Sequence, residues 1–264
     1  MKIKRILGFL SDTHVGGQVA LFPKNFKTKG GVKITMNKGQ EQLYKYWKDA
    51  CKQFKDCDTF FLLGDLIEGL NKREYGHGLI LSDLNEQVNA CIQLLKPMVG
   101  DKKTLIYTGS GYHGSSDFKC DQNIAEALPN AEFCGAMENR KLKGCNFKIN
   151  LAHGEGGASL YRATKMDKEA LFFKVAESCN KLEAPNLVVR GHLHFYTYLE
   201  NEQMSYLQLP CWKAFEISKI YLKNIGRLQP DIGGCKVYVF EDNSMMIKPC
   251  LYPTPHITDA YSEC

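Results

Sequence analysis

No apolar run in this 264-residue sequence approaches the ~20 residues that a membrane-spanning helix requires. The opening "MKIKRILGFLSD" has basic residues and an apolar run, but the run is short and ends in an acid. It reads as a first β-strand and not as a signal peptide. Eleven cysteines are present, yet no two stand as C-x-x-C, so the spacing of a zinc knuckle or a redox dithiol is missing. A chain of this length buries enough surface to fold without disulfides. These absences lead to a reduced, cytoplasmic protein (host-cell cytoplasm if viral) with no membrane partner. Internal repeats, low-complexity segments and dividing linkers are also absent. The expectation is a single domain over residues 1–252 and a proline-broken surface tail over 253–264, with no oligomeric state implied. Cys264 in that tail has nothing nearby to activate it.

Acids are missing from one stretch in particular. Between Thr13 and Gln40 there is none, while Lys24, Lys27, Lys29, Lys33 and Lys38 all fall there. Such a charge run is ordinarily a solvated loop. Beside an active site it would instead form an electropositive rim that draws in a polyanion.

Short apolar runs rich in β-branched and aromatic residues alternate with amphipathic stretches. The runs Ile6–Leu10, Thr59–Leu63, Thr104–Thr108, Phe147–Ala152 and Asn186–Arg190 predict buried strands. Helical spacing of apolar residues predicts helices over Glu41–Phe54 and Leu84–Met98, with two more over Asp121–Leu128 and Lys165–Leu182. Strands separated by helices imply right-handed crossovers and a largely parallel sheet.

Every one of the five strands runs into histidine or aspartate. The first leads to Asp12 and His14, the second to Gly64, Asp65 and Glu68, and the third to Ser110, Tyr112 and His113. The fourth leads to His153, and the fifth to Gly191, His192 and His194. Five of the seven histidines therefore sit at strand ends, where ligands of open α/β sheets gather. His77 and His256 fit no such pattern. Side chains two apart along an extended segment point the same way, so Asp12 with His14, and His192 with His194, are each expected to face one ion. Taken singly, D-x-H is also a turn signature and G-D-x-x-E also caps helices. As an ordered set, mixed imidazoles and carboxylates suit manganese, iron, zinc or cobalt.

The quoted segments "SDTHVG", "LGDLIEG", "GSGYHG", "LAHGEG" and "RGHLHF" resemble, in order, the motifs of the calcineurin-like metallophosphoesterases. The resemblance spans residues 6 to about 195. In the third motif the family's asparagine is Tyr112 and its acid is Gly114, and G-S-x-x-H looks like the phage-type variant. The resemblance implies an α/β fold, a four-layer α/β/β/α sandwich with two metal ions at the strand C-terminal ends. The segments "MSYLQLPCW" and "CKVYVFE" would complete the second sheet. It further implies that Asp12, His14 and His194 hold one ion, His153 and His192 the other, and that Asp65 bridges them. His113 would stand over the substrate phosphate as the catalytic residue. Ser110 would be a weak ligand in place of the asparagine, and Glu68 would support the ligands. The implied cofactor is two divalent ions, manganese first, with iron, zinc, nickel, cobalt or magnesium as the other candidates.

The activity so implied is hydrolysis of a phosphate ester by water. The lysine segment begins directly after His14, which places Lys24, Lys27 and Lys29 at the rim. Tyr112, Tyr75, Phe22 and Phe26 would offer stacking surfaces, a combination found in single-stranded nucleic-acid grooves. The expected partner is a nucleic-acid or nucleotide phosphodiester. A phosphomonoesterase, or a catalytically decayed scaffold, are the other readings.

Overall fold

The computed structural model describes residues 2–72, 75–113, 119–157, 159, 161–201, 204–214 and 229–254. Gly114, His256 and Cys264, with most of the tail, lie outside the described residues. Along the chain come β1 (Ile3–Leu10), α1 (Lys38–Gln53), β2 (Thr59–Leu63), α2 (Leu84–Val99), β3 (Lys103–Tyr107) and α3 (Cys120–Ala127). There follow β4 (Ala131–Phe133), β5 (Met137–Lys141), β6 (Lys148–Ala152), α4 (Thr164–Ser178) and β7 (Leu187–Arg190). The last four strands are β8 (Thr197–Glu200), β9 (Ser205–Gln208), β10 (Ile232–Phe240) and β11 (Met245–Tyr252). All five strands and four helices expected from the sequence form, with ends shifted by a few residues.

The strands make two mixed sheets. One has the order β11-β10-β1-β2-β3-β4, with β1 to β4 parallel and β10 antiparallel to both its neighbours. The other has the order β5-β6-β7-β9-β8, with β6, β7 and β9 parallel between antiparallel edges. This corrects one expectation. "CKVYVFE" belongs to β10, which joins the first sheet beside β1, and only β9 of the two C-terminal segments enters the second. Because β10 sits inside the first sheet, Cys235, Val237 and Val239 are wholly buried.

Alternation along the strands sorts side chains into layers. Phe60, Leu62 and Ile106 face α1, α2 and α3, packing with Leu43, Trp47, Val88, Leu94 and Ile124. Their neighbours Phe61, Leu63, Leu105 and Tyr107 face the opposite way, against Ile149, Leu151, Leu187, Val189 and Leu207 of the second sheet. Val188 and Tyr206 turn outward to Met166, Ala170 and Phe173 of α4. The result is a four-layer α/β/β/α sandwich whose two sheets share an apolar seam. Among the described residues no helix is long and apolar enough to cross a membrane.

Helix α1 begins at a reciprocal cap. Asn37 Oδ1 accepts from the Gln40 N–H at 2.9 Å, and the Gln40 side chain accepts from the Asn37 N–H at 3.2 Å. The lysine segment before it is tied to α2: Gln93 donates to the Lys24 carbonyl, and the Lys29 N–H donates to Glu86 at 2.7 Å. Phe22 and Phe26 are buried in the core under this segment. With Leu21, and with Ile34 and Met36 packed beside them, they are anchors that pin the loop and not stacking surfaces.

Phe61 stacks on Phe9 at 4.9 Å between ring centroids in the seam between the sheets. Phe61→Ala should lower stability by about 3–5 kcal/mol, read as a drop in the denaturant midpoint.

Candidate metal centre

The centre forms where β1, β2, β3, β6 and β7 end. Beyond the strands, the backbone ladder between the first two continues: the Asp12 N–H donates to the Gly64 carbonyl at 3.1 Å, and the His14 N–H to that of Asp65 at 3.0 Å. Asp12, His14, Asp65, His192 and His194 all have left-handed φ, between 47° and 74°. Each such residue costs roughly 1–2 kcal/mol, and strain of this kind gathers at functional sites. These segments are therefore not extended, which corrects the spacing argument for D-x-H and H-x-H. Close approach is needed as well. A Cβ on Gly109 would lie 2.2 Å from Asp65 Oδ1, and one on Gly191 would lie 2.1 Å from Ser11 Oγ.

The six side chains singled out as ligands come together in two sets. Asp12, His14 and His194 form one, and Asp65, His153 and His192 the other, with the candidate ligand atoms of each set within 4.8 Å of one another. His192 and His194 thus part company, one to each set, because left-handed turns at both positions undo the pleat. Asp12 lies between the sets: its Oδ1 is 3.2 Å from His194 Nε2, 3.6 Å from His14 Nε2 and 3.9 Å from His153 Nε2. Asp65 Oδ2 is 2.9 Å from His153 Nε2. A third set, His14, Glu68 and His113, shares His14 with the first.

The donor geometry fits cations. His153 Nδ1 donates to the Leu63 carbonyl at 2.5 Å and His192 Nε2 to that of Gly156 at 3.0 Å. Their remaining nitrogens then face each other at 3.3 Å, lone pair to lone pair, unless a positive charge stands there. His14 Nε2 and His194 Nε2 lie 3.0 Å apart, and because no hydrogen bond fixes the other nitrogen of His14, either a shared proton or a cation can stand between them. Asp12 Oδ1 and His14 Nδ1 are buried without a hydrogen-bond partner; the latter is 3.1 Å from Glu68 Oε2 but off the hydrogen-bonding line. In the metal-free chain a proton serves instead. Burial pulls the His153 imidazole down, but Asp12 and then Asp65 outweigh it and raise its pKa to about 9. Burial likewise raises Asp12 and Asp65, yet histidines (His153 first) hold Asp12 well below the usual range and Asp65 at about 2.

Ser110 anchors Asp65. Its N–H donates to Oδ1 at 2.7 Å and its hydroxyl lies 3.0–3.1 Å from both oxygens. Glu68 is clamped by Lys213 Nζ at 2.6 and 2.7 Å, and its carbonyl accepts from His113 Nδ1 at 2.7 Å. The Tyr112 hydroxyl donates to Asn71 at 2.6 Å, and its ring stands edge-on to His113. Sequence reasoning missed Lys213, since a lone lysine after an apolar run has no distinctive pattern. It also missed Asp121, half-buried in the first turn of α3 and accepting from the Gly109 N–H at 3.1 Å. The neighbouring segment closes over the ligands as well: the Trp212 N–H donates to the Asp12 carbonyl at 3.0 Å, and the Asp231 N–H to that of His194 at 2.8 Å.

A cleft of about 830 Å³ opens beside the second set, between Ser110, His153 and His192 on one side and Lys165 and Lys168 of α4 on the other. Arg190 lies on its floor, paired with Glu169, whose other oxygen accepts from Tyr206. Lys24, Lys27 and Lys29 are exposed, but among the described residues that line this cleft none of the three appears.

The sequence matches no family model and no curated relative. Among solved structures it is similar to a novel archaeal phosphodiesterase, at 12% identity over 92% of this chain and 99% of that one, with a TM-score of 0.47. It is similar also to Yfce, a phosphoesterase from E. coli (13% identity, 91% and 96% covered, TM-score 0.43). A third is Vps29 from Entamoeba histolytica complexed with zinc (12% identity, 93% and 98% covered, TM-score 0.41).

Burial raises the Asp121 carboxyl to about 6. The folded state therefore holds this proton more tightly than the unfolded chain, and the group weakens the fold as pH rises from about 4 to 6. Asp121→Asn keeps the Gly109 contact without the charge. In the metal-free protein it should raise stability at pH 8 by up to about 3 kcal/mol, with the gain vanishing below pH 4, as read by denaturation at both pH values.

Proposed function

We propose that the protein is a metal-dependent phosphoesterase that hydrolyses nucleic-acid or nucleotide phosphodiesters, with two divalent ions as cofactor. The observation that carries this reading is the pair of facing imidazoles, His14 with His194 and His153 with His192, each accompanied by a buried carboxylate. Asp12, His14 and His194 would hold one ion, and Asp65, His153 and His192 the other. Asp65 is assigned the bridge on the motif resemblance, and Asp12 stands close enough to both sets to share it. When bound, such ions lower the pKa of a water and draw charge from the phosphoryl oxygens. Manganese is put first on the motif resemblance alone; four imidazoles and two carboxylates equally accommodate iron, zinc, nickel or cobalt, with magnesium as a further candidate.

The protein's own groups do the rest. Ser110 fixes the Asp65 carboxylate, and Lys213 fixes Glu68 beside His14. The Nδ1–H of His113 is held by the Glu68 carbonyl, which orients the ring and leaves Nε2 for substrate. Burial, and then His14, lower His113 to about 4, so it is neutral in the free protein. A phosphate arriving beside it would favour its charged form, which can then pass a proton to the leaving oxygen. Tyr112 packs against that ring. The cleft of about 830 Å³ has room for both substituents of a diester, which supports the choice of a phosphodiester. Lys24, Lys27 and Lys29 are kept as an outer, long-range attraction for a polyanion, not as contacts to the reacting ester.

Metal analysis and turnover test this together. Protein loaded with Mn²⁺ should carry about two ions per chain and hydrolyse bis-p-nitrophenyl phosphate faster than p-nitrophenyl phosphate. Asp65→Asn should lose both ions and nearly all activity. His113→Ala should keep the ions and lose about 10²–10⁴-fold in kcat; full activity on a poor leaving group would remove its catalytic assignment. Neither bound metal nor turnover would favour the scaffold reading.

A further inference from the structure

The cleft's cations come from α4. Lys165 and Lys168 lie three residues apart in its first turns, on the side that borders the cavity. Lys165 Nζ is held by the Glu155 carbonyl, and its charge is felt at His192. Two acids also line the cleft, but they do not cancel these lysines. Glu169 bonds to Arg190 and Tyr206 and is felt also at Lys165, so the lining sets Lys165, Lys168 and Arg190 against Glu155 and Glu169 and keeps a net positive charge. Ala136 and Met137, the latter 63% exposed, add apolar surface to the lining. The cavity therefore offers cations for an anion, apolar surface for a sugar or base, and the metal-ligand candidates His153 and His192 in the same lining.

We infer that Lys165 and Lys168 form a subsite for a second phosphate of the substrate, one linkage away from the ester that is cleaved. The substrate class is then a nucleotide chain and not an isolated diester. Lysine acts as a mobile point charge toward phosphate, which suits a backbone that must slide after cleavage. The cavity of about 830 Å³ holds a dinucleotide unit with its flanking phosphates. This inference rests on the phosphoesterase reading of the same centre.

Thymidine 5′-(p-nitrophenyl phosphate) with and without a 3′-phosphate separates the two ideas, with bis-p-nitrophenyl phosphate as the plain diester. In the Mn²⁺-loaded protein the 3′-phosphate should raise kcat/KM by about tenfold, as one charge-assisted hydrogen bond would. Lys165→Gln/Lys168→Gln, and to a lesser degree the exposed Lys168→Gln alone, should bring that ratio back toward one. A second readout needs no turnover: calorimetry on chelator-treated protein should find a nucleoside 3′,5′-bisphosphate bound more tightly than the 5′-monophosphate, and the preference lost in the variants. A ratio near one in the unaltered protein, with the plain diester still hydrolysed, overturns the subsite and leaves the phosphoesterase reading standing. A high ratio that survives both variants overturns the lysine assignment. No turnover of any of the three overturns the inference along with the reading beneath it.

Discussion

The centre depends on one backbone feature, the hydrogen-bond ladder that β1 and β2 continue past their own ends. Through it the Asp12 and His14 N–H groups reach the Gly64 and Asp65 carbonyls, and two strands deliver their carboxylates and imidazoles to one place. The second sheet is brought into register by two further bonds. The His192 N–H donates to Asp12 Oδ2 at 2.9 Å, and His153 Nδ1 donates to the Leu63 carbonyl. Left-handed conformations at five of the six candidate ligands oppose this arrangement by several kcal/mol in sum, at roughly 1–2 each. They persist because ladder, seam and glycine contacts over-determine them.

Much of this was legible in the sequence, for a definable reason. The five strands that reach the centre are buried on both faces or nearly so, and such strands appear as unbroken apolar runs. Their ends were marked by the abrupt appearance of aspartate, glycine and histidine. Other features had no comparable signal. Strands β4, β5 and β8 are short or half-exposed, and β5 reads "MENRK", which carries no apolar alternation. The sheet that β10 joins is decided by pairing with β1, more than two hundred residues away, and no local pattern records that. The allocation of His192 and His194 to different sets, implied by the motif resemblance, depends on φ angles that spacing alone does not specify.

The lysine segment was a composition signal, and none of Lys24, Lys27 and Lys29 is among the described residues that line the cleft. Its acid-free run does lie next to the centre in sequence. Its aromatics are spent on anchoring it to α1 and α2, however, and its backbone follows the outer helical layer. The cations that border the cleft, Lys165 and Lys168, lie in a helix whose overall composition is balanced and whose sequence gave no reason to single them out. They reach the cleft because α4 lies between β6 and β7, two of the strands that end at the centre.

The short segment after β9 is bonded at once to both halves of the sandwich. Trp212 grips the carbonyl of Asp12, and Lys213 clamps Glu68. Beyond it Asp231 holds the loop of His194. Tension that peels the C-terminal strands away would thus reach the ligand-bearing loops before the apolar seam parts. Any cation held by those loops would then be lost early in mechanical or thermal opening, ahead of melting, and while held would latch the segment after β9 to the first sheet.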